Sequence, residues 1–79
     1  MPKWLRCTID KGMFSDEVTV TVLTRSGESV AVFVPRKEAD DRNNRVRVNA
    51  FEANGDCVAV LPDDRRSVVD VDASDLLPA

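Results

Sequence analysis

Two valine triads at strict alternation constrain this chain more than any other feature. Val18, Val20 and Val22 precede Arg25-Ser26-Gly27, and Val30, Val32 and Val34 follow it. Successive side chains of a strand point to opposite faces, so each triad reads as one face of one strand. Loop length decides whether the two faces coincide, because a register shift of one residue moves a whole strand set to the other side. A two-residue Ser26-Gly27 turn would oppose Val22 to Ala31 and split the triads. A three-residue loop, with Gly27 in the left-handed position that ends a type I turn and G1 bulge, opposes Val22 to Val30 and gives one continuous valine face. The second arrangement is predicted. It places Leu23, Ala31 and Phe33 on the opposite face with Thr19 and Thr21.

Period two recurs along the rest of the chain, and no window offers the i, i+3, i+4, i+7 spacing of an amphipathic helix. Trp4 to Ile9 reads as a first strand, with Leu5, Cys7 and Ile9 on one face, followed by a loop from Asp10 to Asp16. Arg36 to Asn44 is the most polar stretch and reads as a long loop, with one helical turn started after Pro35. Arg45 to Glu52 and Cys57 to Leu61 form a second hairpin around Asn54-Gly55. Two loops fit it. A two-residue type I′ turn groups Val46, Val48, Ala50, Cys57, Ala59 and Leu61, whereas a three-residue Ala53-Asn54-Gly55 loop brings Val58 and Val60 to Val46 and Val48. Both leave Arg45 and Arg47 on the outer face. Pro62 to Arg66 is a turn, Ser67 to Val71 a short last strand, and Asp72 to Leu77 a capped helical turn ended by Pro78.

A chain of 79 residues buries only about 60% of the surface its unfolded form exposes, which allows one core and one domain, residues 1–79. Five to six short antiparallel strands bury a valine face best by curling, so the expected fold is all-β, a small, partly open barrel with a short C-terminal helical turn. In its loop after the first strand, its central hairpin with a glycine turn and its helical turn near a short last strand, the chain resembles SH3-like barrels. The resemblance covers almost the whole chain at the level of topology and includes no diagnostic motif. An OB-fold is the rival, although RKEADDRNN is short for the helix that such a fold places between its third and fourth strands.

The chain has no histidine and no tyrosine. The first absence removes Ser–His and Cys–His catalysis and the commonest metal ligand, so no enzyme activity, cofactor or metal is expected. Trp4, Phe14, Phe33 and Phe51 are the only aromatic residues, too few to build both a core and the polyproline groove or methyl-lysine cage found among SH3-like and Tudor-like domains. Asp70, Asp72 and Asp75 invite a calcium reading, but an EF-hand glycine is absent and the acids suit an exposed strand face and an N-cap. Cys7 and Cys57 lack metal-site spacing and read as small core residues, with a disulfide as the alternative in an exported protein. The first residues break at Arg6 and form no signal peptide, and no run approaches the length of a membrane helix, so a cytoplasmic location with no membrane contact is expected.

Two interaction readings remain. Leu23 and Phe33, with Trp4 and Phe14 as neighbours, would form an apolar contact patch for another protein or a second copy. Arg36, Lys37, Arg42, Arg45 and Arg47 would form a basic patch for an acidic protein or a nucleic acid. A formal charge of −3 and the interleaved Glu38, Asp40 and Asp41 disfavour the second reading. The expected role is therefore a non-enzymatic protein-interaction or homo-oligomeric adaptor module, with a nucleic-acid-associated barrel as the alternative.

Overall fold

Nine antiparallel strands make up most of the chain, and the structure, a computed structural model, describes all of residues 1–79. They are β1 (Pro2–Arg6), β2 (Thr8–Lys11), β3 (Glu17–Leu23), β4 (Ser29–Pro35), β5 (Ala39–Asp40), β6 (Arg45–Ala53), β7 (Asp56–Val60), β8 (Val68–Val71) and β9 (Leu76–Pro78). The larger sheet runs β8-β7-β6-β1-β9, with β5 also on β6, and the smaller runs β2-β3-β4. Only Cys7 separates β1 from β2, so one extended run passes from the first sheet into the second. The Cys7 N–H donates to the Asn44 carbonyl at 2.9 Å, one step beyond the Arg6–Arg45 pair of β1 and β6.

The valine alternation produces the smaller sheet as expected. Val22 opposes Val30, Val20 opposes Val32 and Val18 opposes Val34. The Arg25-Ser26-Gly27 loop closes with Thr24 N–H on the Glu28 carbonyl at 2.8 Å and Gly27 N–H on the Thr24 carbonyl at 2.9 Å. Gly27 lies at φ 92°, which an L side chain rarely adopts. The second hairpin takes the two-residue loop. Asn54 and Gly55 both have positive φ, 54° and 84°, as a type I′ turn requires, and Ala53 opposes Asp56.

The inner faces of the two sheets share one core of Leu5, Val18, Val20, Val22, Val34, Val46, Val48, Ala59, Leu61, Val69 and Val71. Cys7, Ile9, Val30, Val32, Cys57 and Leu76 pack around it half-buried. Burial pushes the Cys7 thiol up to about 11, which keeps it protonated at neutral pH. Both cysteines are free thiols.

The strands outnumber the five or six expected, for three local reasons. The first strand divides at Cys7 because its halves join different sheets. The polar stretch Arg36 to Asn44 is no simple loop: a 3₁₀ turn at Arg36–Glu38 leads into β5, where Ala39 pairs with Val46 and Asp40 with Arg45. After a second 3₁₀ turn at Ala73–Asp75, capped by the Asp72 carboxylate on Ser74 N–H at 3.1 Å, the chain does not stop but returns as β9 along β1. Strands of two or three residues are too short to show alternation. The two sheets do not close into a barrel.

Candidate interaction surfaces

The outer face of the larger sheet is basic and aromatic at its centre. Alternation along β1 and β6 sends Trp4 and Arg6 outward beside Arg45 and Arg47, because Trp4 opposes Arg47 and Arg6 opposes Arg45. The Arg45 guanidinium lies 4.5 Å from the centroid of the Trp4 ring, within cation–π range. Arg45 Nε also donates to Asp40 Oδ2 at 2.8 Å, and Asn43 Nδ2 donates to the same oxygen at 2.9 Å. Hydrogen bonds from Asn43 and Arg45 hold the Asp40 carboxyl below the usual carboxylate range. Trp4 is thus half-buried under a side chain that is itself anchored. Further along the same face stand Asn49, Phe51, Val58, Val60 and Val68, of which Asn49, Phe51 and Val68 are exposed.

The outer face of the smaller sheet is different. Thr8, Thr19, Thr21, Leu23, Ser29, Ala31 and Phe33 alternate with the buried valines, and acids occur only at Asp10 and Glu17, toward the β2–β3 loop. Leu23 is 56% exposed and Phe33 48%. Their cross-strand neighbours are Ser29 and Thr19, which are too short to cover them.

Several shallow grooves border these faces. The free edges of β4 and β8 face one another across a seam joined at one end by Arg25, whose N–H donates to the Asp70 carbonyl at 2.9 Å and whose guanidinium pairs with Asp56. One groove of about 350 Å³ lies between Ala31, Val32 and Phe33 and the turn containing Asp63, Asp64 and Arg65. Another of about 300 Å³ lies between Val30 and Val68, Val69 and Asp70. A third, of about 330 Å³, opens where β6 passes from β5 to β7. Arg47 and Arg66 there face Glu38 and Asp63, so its charges balance. The Asp63 carboxylate is already engaged, accepting from Ser67 N–H at 2.8 Å and from its hydroxyl at 2.6 Å. No three carboxylates and thiols gather where one cation would reach them.

The residues singled out from sequence are therefore divided. Leu23 and Phe33 share the smaller sheet's outer face, Trp4 lies on the larger sheet, and Phe14 is exposed in the β2–β3 loop, where its carbonyl accepts Glu17 N–H at 3.2 Å. Of the basic residues, Arg45 and Arg47 meet on the larger face. Arg36 ties down the β2–β3 loop through Ser15 and Asp16 carbonyls, while Lys37 and Arg42 are exposed in the turns flanking β5. Arg6, which no local pattern singled out, joins the basic cluster because of the β1–β6 pairing. No helix is long and apolar enough to cross a membrane. Comparison with family models, with curated proteins and with solved structures finds no match for the chain.

Proposed function

We propose that this domain is a non-enzymatic interaction module that associates with a second copy of itself through the smaller sheet. One observation carries the reading: Leu23 and Phe33 stand exposed on a face whose centre holds no charge. Such faces usually mark interfaces. The chain exposes 5310 Å², whereas a folded chain of its mass exposes about 4,700 Å². Its radius of gyration, 11.5 Å, is close to the roughly 12 Å of a compact chain this long. Its extents of 38 × 23 × 19 Å make the body elongated, and that shape itself raises the exposed area. Light scattering of the wild type should give twice 8.7 kDa or more, and Phe33→Ser should return the mass to one chain. A wild type that stays monomeric at high micromolar concentration removes this reading.

The Trp4 cluster supports a second reading. Single-stranded nucleic acid is held by aromatic rings among cations, and Trp4 with Arg6, Arg45 and Arg47 provides one such group. The net charge of −3 weighs against it. Anisotropy of labelled RNA and DNA at low salt tests it, and no binding at high micromolar protein dismisses it.

A further inference from the structure

We propose that Arg45 and Arg6 form a binding site for a phosphate monoester on the outer face of the larger sheet. The site shares residues with the nucleic-acid reading but takes a different ligand, and it is independent of the smaller sheet.

Register sets Arg6 directly opposite Arg45 across β1 and β6. Like charges in that position repel and weaken a strand pair. Asp40 pairs with Arg45 alone, and Arg6 forms no ion pair. Asp41 and Arg42 in the adjoining turn offset one another. Glu38 lies beside Arg47 but beyond ion-pair distance of it. An oxyanion placed between Arg6 and Arg45 turns their repulsion into a bridge.

Arg45 is also held in position for such a ligand. Its Nε donates to Asp40 Oδ2 at 2.8 Å, the same oxygen accepts from Asn43 Nδ2 at 2.9 Å, and the guanidinium lies 4.5 Å from the centroid of the Trp4 ring. These contacts occupy one edge and one face of the group. Its two terminal nitrogens donate to nothing in the chain, so a planar fork of donors is fixed in place and left open. Arg25 provides the contrast, since its Nη1 is already taken by Asp56. An open fork binds carboxylates and phosphates through paired hydrogen bonds. One fork fills a carboxylate. A phosphate monoester has a third strong acceptor oxygen and close to two negative charges at neutral pH, so it engages Arg45 and Arg6 together. Backbone phosphates of a nucleic acid are diesters and lack that oxygen. Trp4 and Leu77, half-buried and opposed on β1 and β9, give the residues beside the phosphate an apolar floor, which suits a phosphorylated side chain of a protein.

Trp4 is the only tryptophan and Arg45 covers it, so its emission reports occupancy. Titration with N-acetyl-O-phosphoserine methylamide should change that emission, with a dissociation constant at least about tenfold below that of the glutamate or unmodified serine analogue. Inorganic phosphate should compete. Arg6→Gln and Arg45→Lys should each weaken the phosphoserine probe about tenfold, as for one charge-assisted hydrogen bond lost, with circular dichroism to verify folding. Asp40→Asn separates the site from diffuse attraction. It makes the face more positive but releases Arg45, so a held fork requires weaker binding where general charge would give tighter. Lys11→Gln and Arg65→Gln remove the same charge elsewhere and should leave the constant unchanged. Equal affinity for the phosphoserine and glutamate probes, tighter binding by Asp40→Asn, or no response of Trp4 overturns the site. Binding of oligouridylate in preference to the phosphoserine probe also overturns it and returns the face to nucleic acid. None of these outcomes depends on the mass of the wild type, so they are distinct from a failure of self-association.

Discussion

On the larger sheet Trp4 lies under Arg45, which Asp40 and Asn43 hold in place; on the smaller sheet Leu23 and Phe33 rise among threonine, serine and alanine. Both faces alternate with a buried core, and both carry large apolar side chains. Trp4 and Phe33 differ in the neighbours that strand pairing gives them, whereas Phe51 and Val68 on the larger sheet are more exposed than Phe33. An arginine stem can lie along a ring and keep its charged head in water. A serine or threonine opposite the ring cannot. Whether an outward apolar residue is covered therefore depends on which side chains the register sets beside it, here the diagonal Arg45 rather than the directly opposed Arg47.

Several changes would break or sharpen this contrast, beginning with the core beneath both faces. Leu5→Ala should cost about 2–5 kcal/mol and unfold both sheets in one transition, because Leu5 is fully buried in the shared core. Trp4 emission and far-ultraviolet dichroism should then coincide along a urea titration, and separate midpoints would mean that the sheets are independent units. Next come the faces themselves. Trp4→Ala should cost about 1–3 kcal/mol as a half-buried aromatic truncation. Phe33→Ser, measured in the monomer at low concentration, should stay within about 0.5 kcal/mol. Equal costs would abolish the distinction between a covered Trp4 and a bare Phe33. Arg45→Ala should cost about 0.5–1 kcal/mol from the lost ring contact and shift Trp4 emission to the red.

The smallest effects depend on pH. Asp40 titrates below its ordinary value in the fold, so its contribution is complete above the ordinary carboxylate range and disappears as pH falls through its own lower value. Trp4 emission should follow that loss, and Asp40→Asn should abolish the acid transition. At the alkaline end the signs invert. The unfolded Cys7 thiol ionises near 9 while the folded one holds its proton to about 11, so stability should decline as pH rises between these values. A Cys7→Ala variant without that decline confirms the assignment.

Much of the fold was legible because valine alternation and turn chemistry are local. Gly27 and the two triads fix the β3–β4 register, and Asn54-Gly55 marks a hairpin whose two possible loops only the paired positive φ values separate. β5 and β9 are too short to have a period. The division of the candidate sites was not legible either. Trp4 and Arg45 lie far apart in sequence, and only the β1–β6 pairing makes them neighbours. Leu23 and Phe33 were accessible to sequence reasoning because both belong to one hairpin.

β1 has ladder partners on both sides, and neither is close in sequence. Lys3 opposes Val48 on one side and Pro78 on the other. On a ribosome the first strand emerges first yet must wait for nearly the whole domain before its second neighbour exists, an interval of several seconds at roughly 5–20 residues per second. The β3–β4 hairpin needs no such wait. During synthesis the β2–β3 hairpin can be complete first and the β3–β4 hairpin next, so the smaller sheet can form before the larger one has its strands.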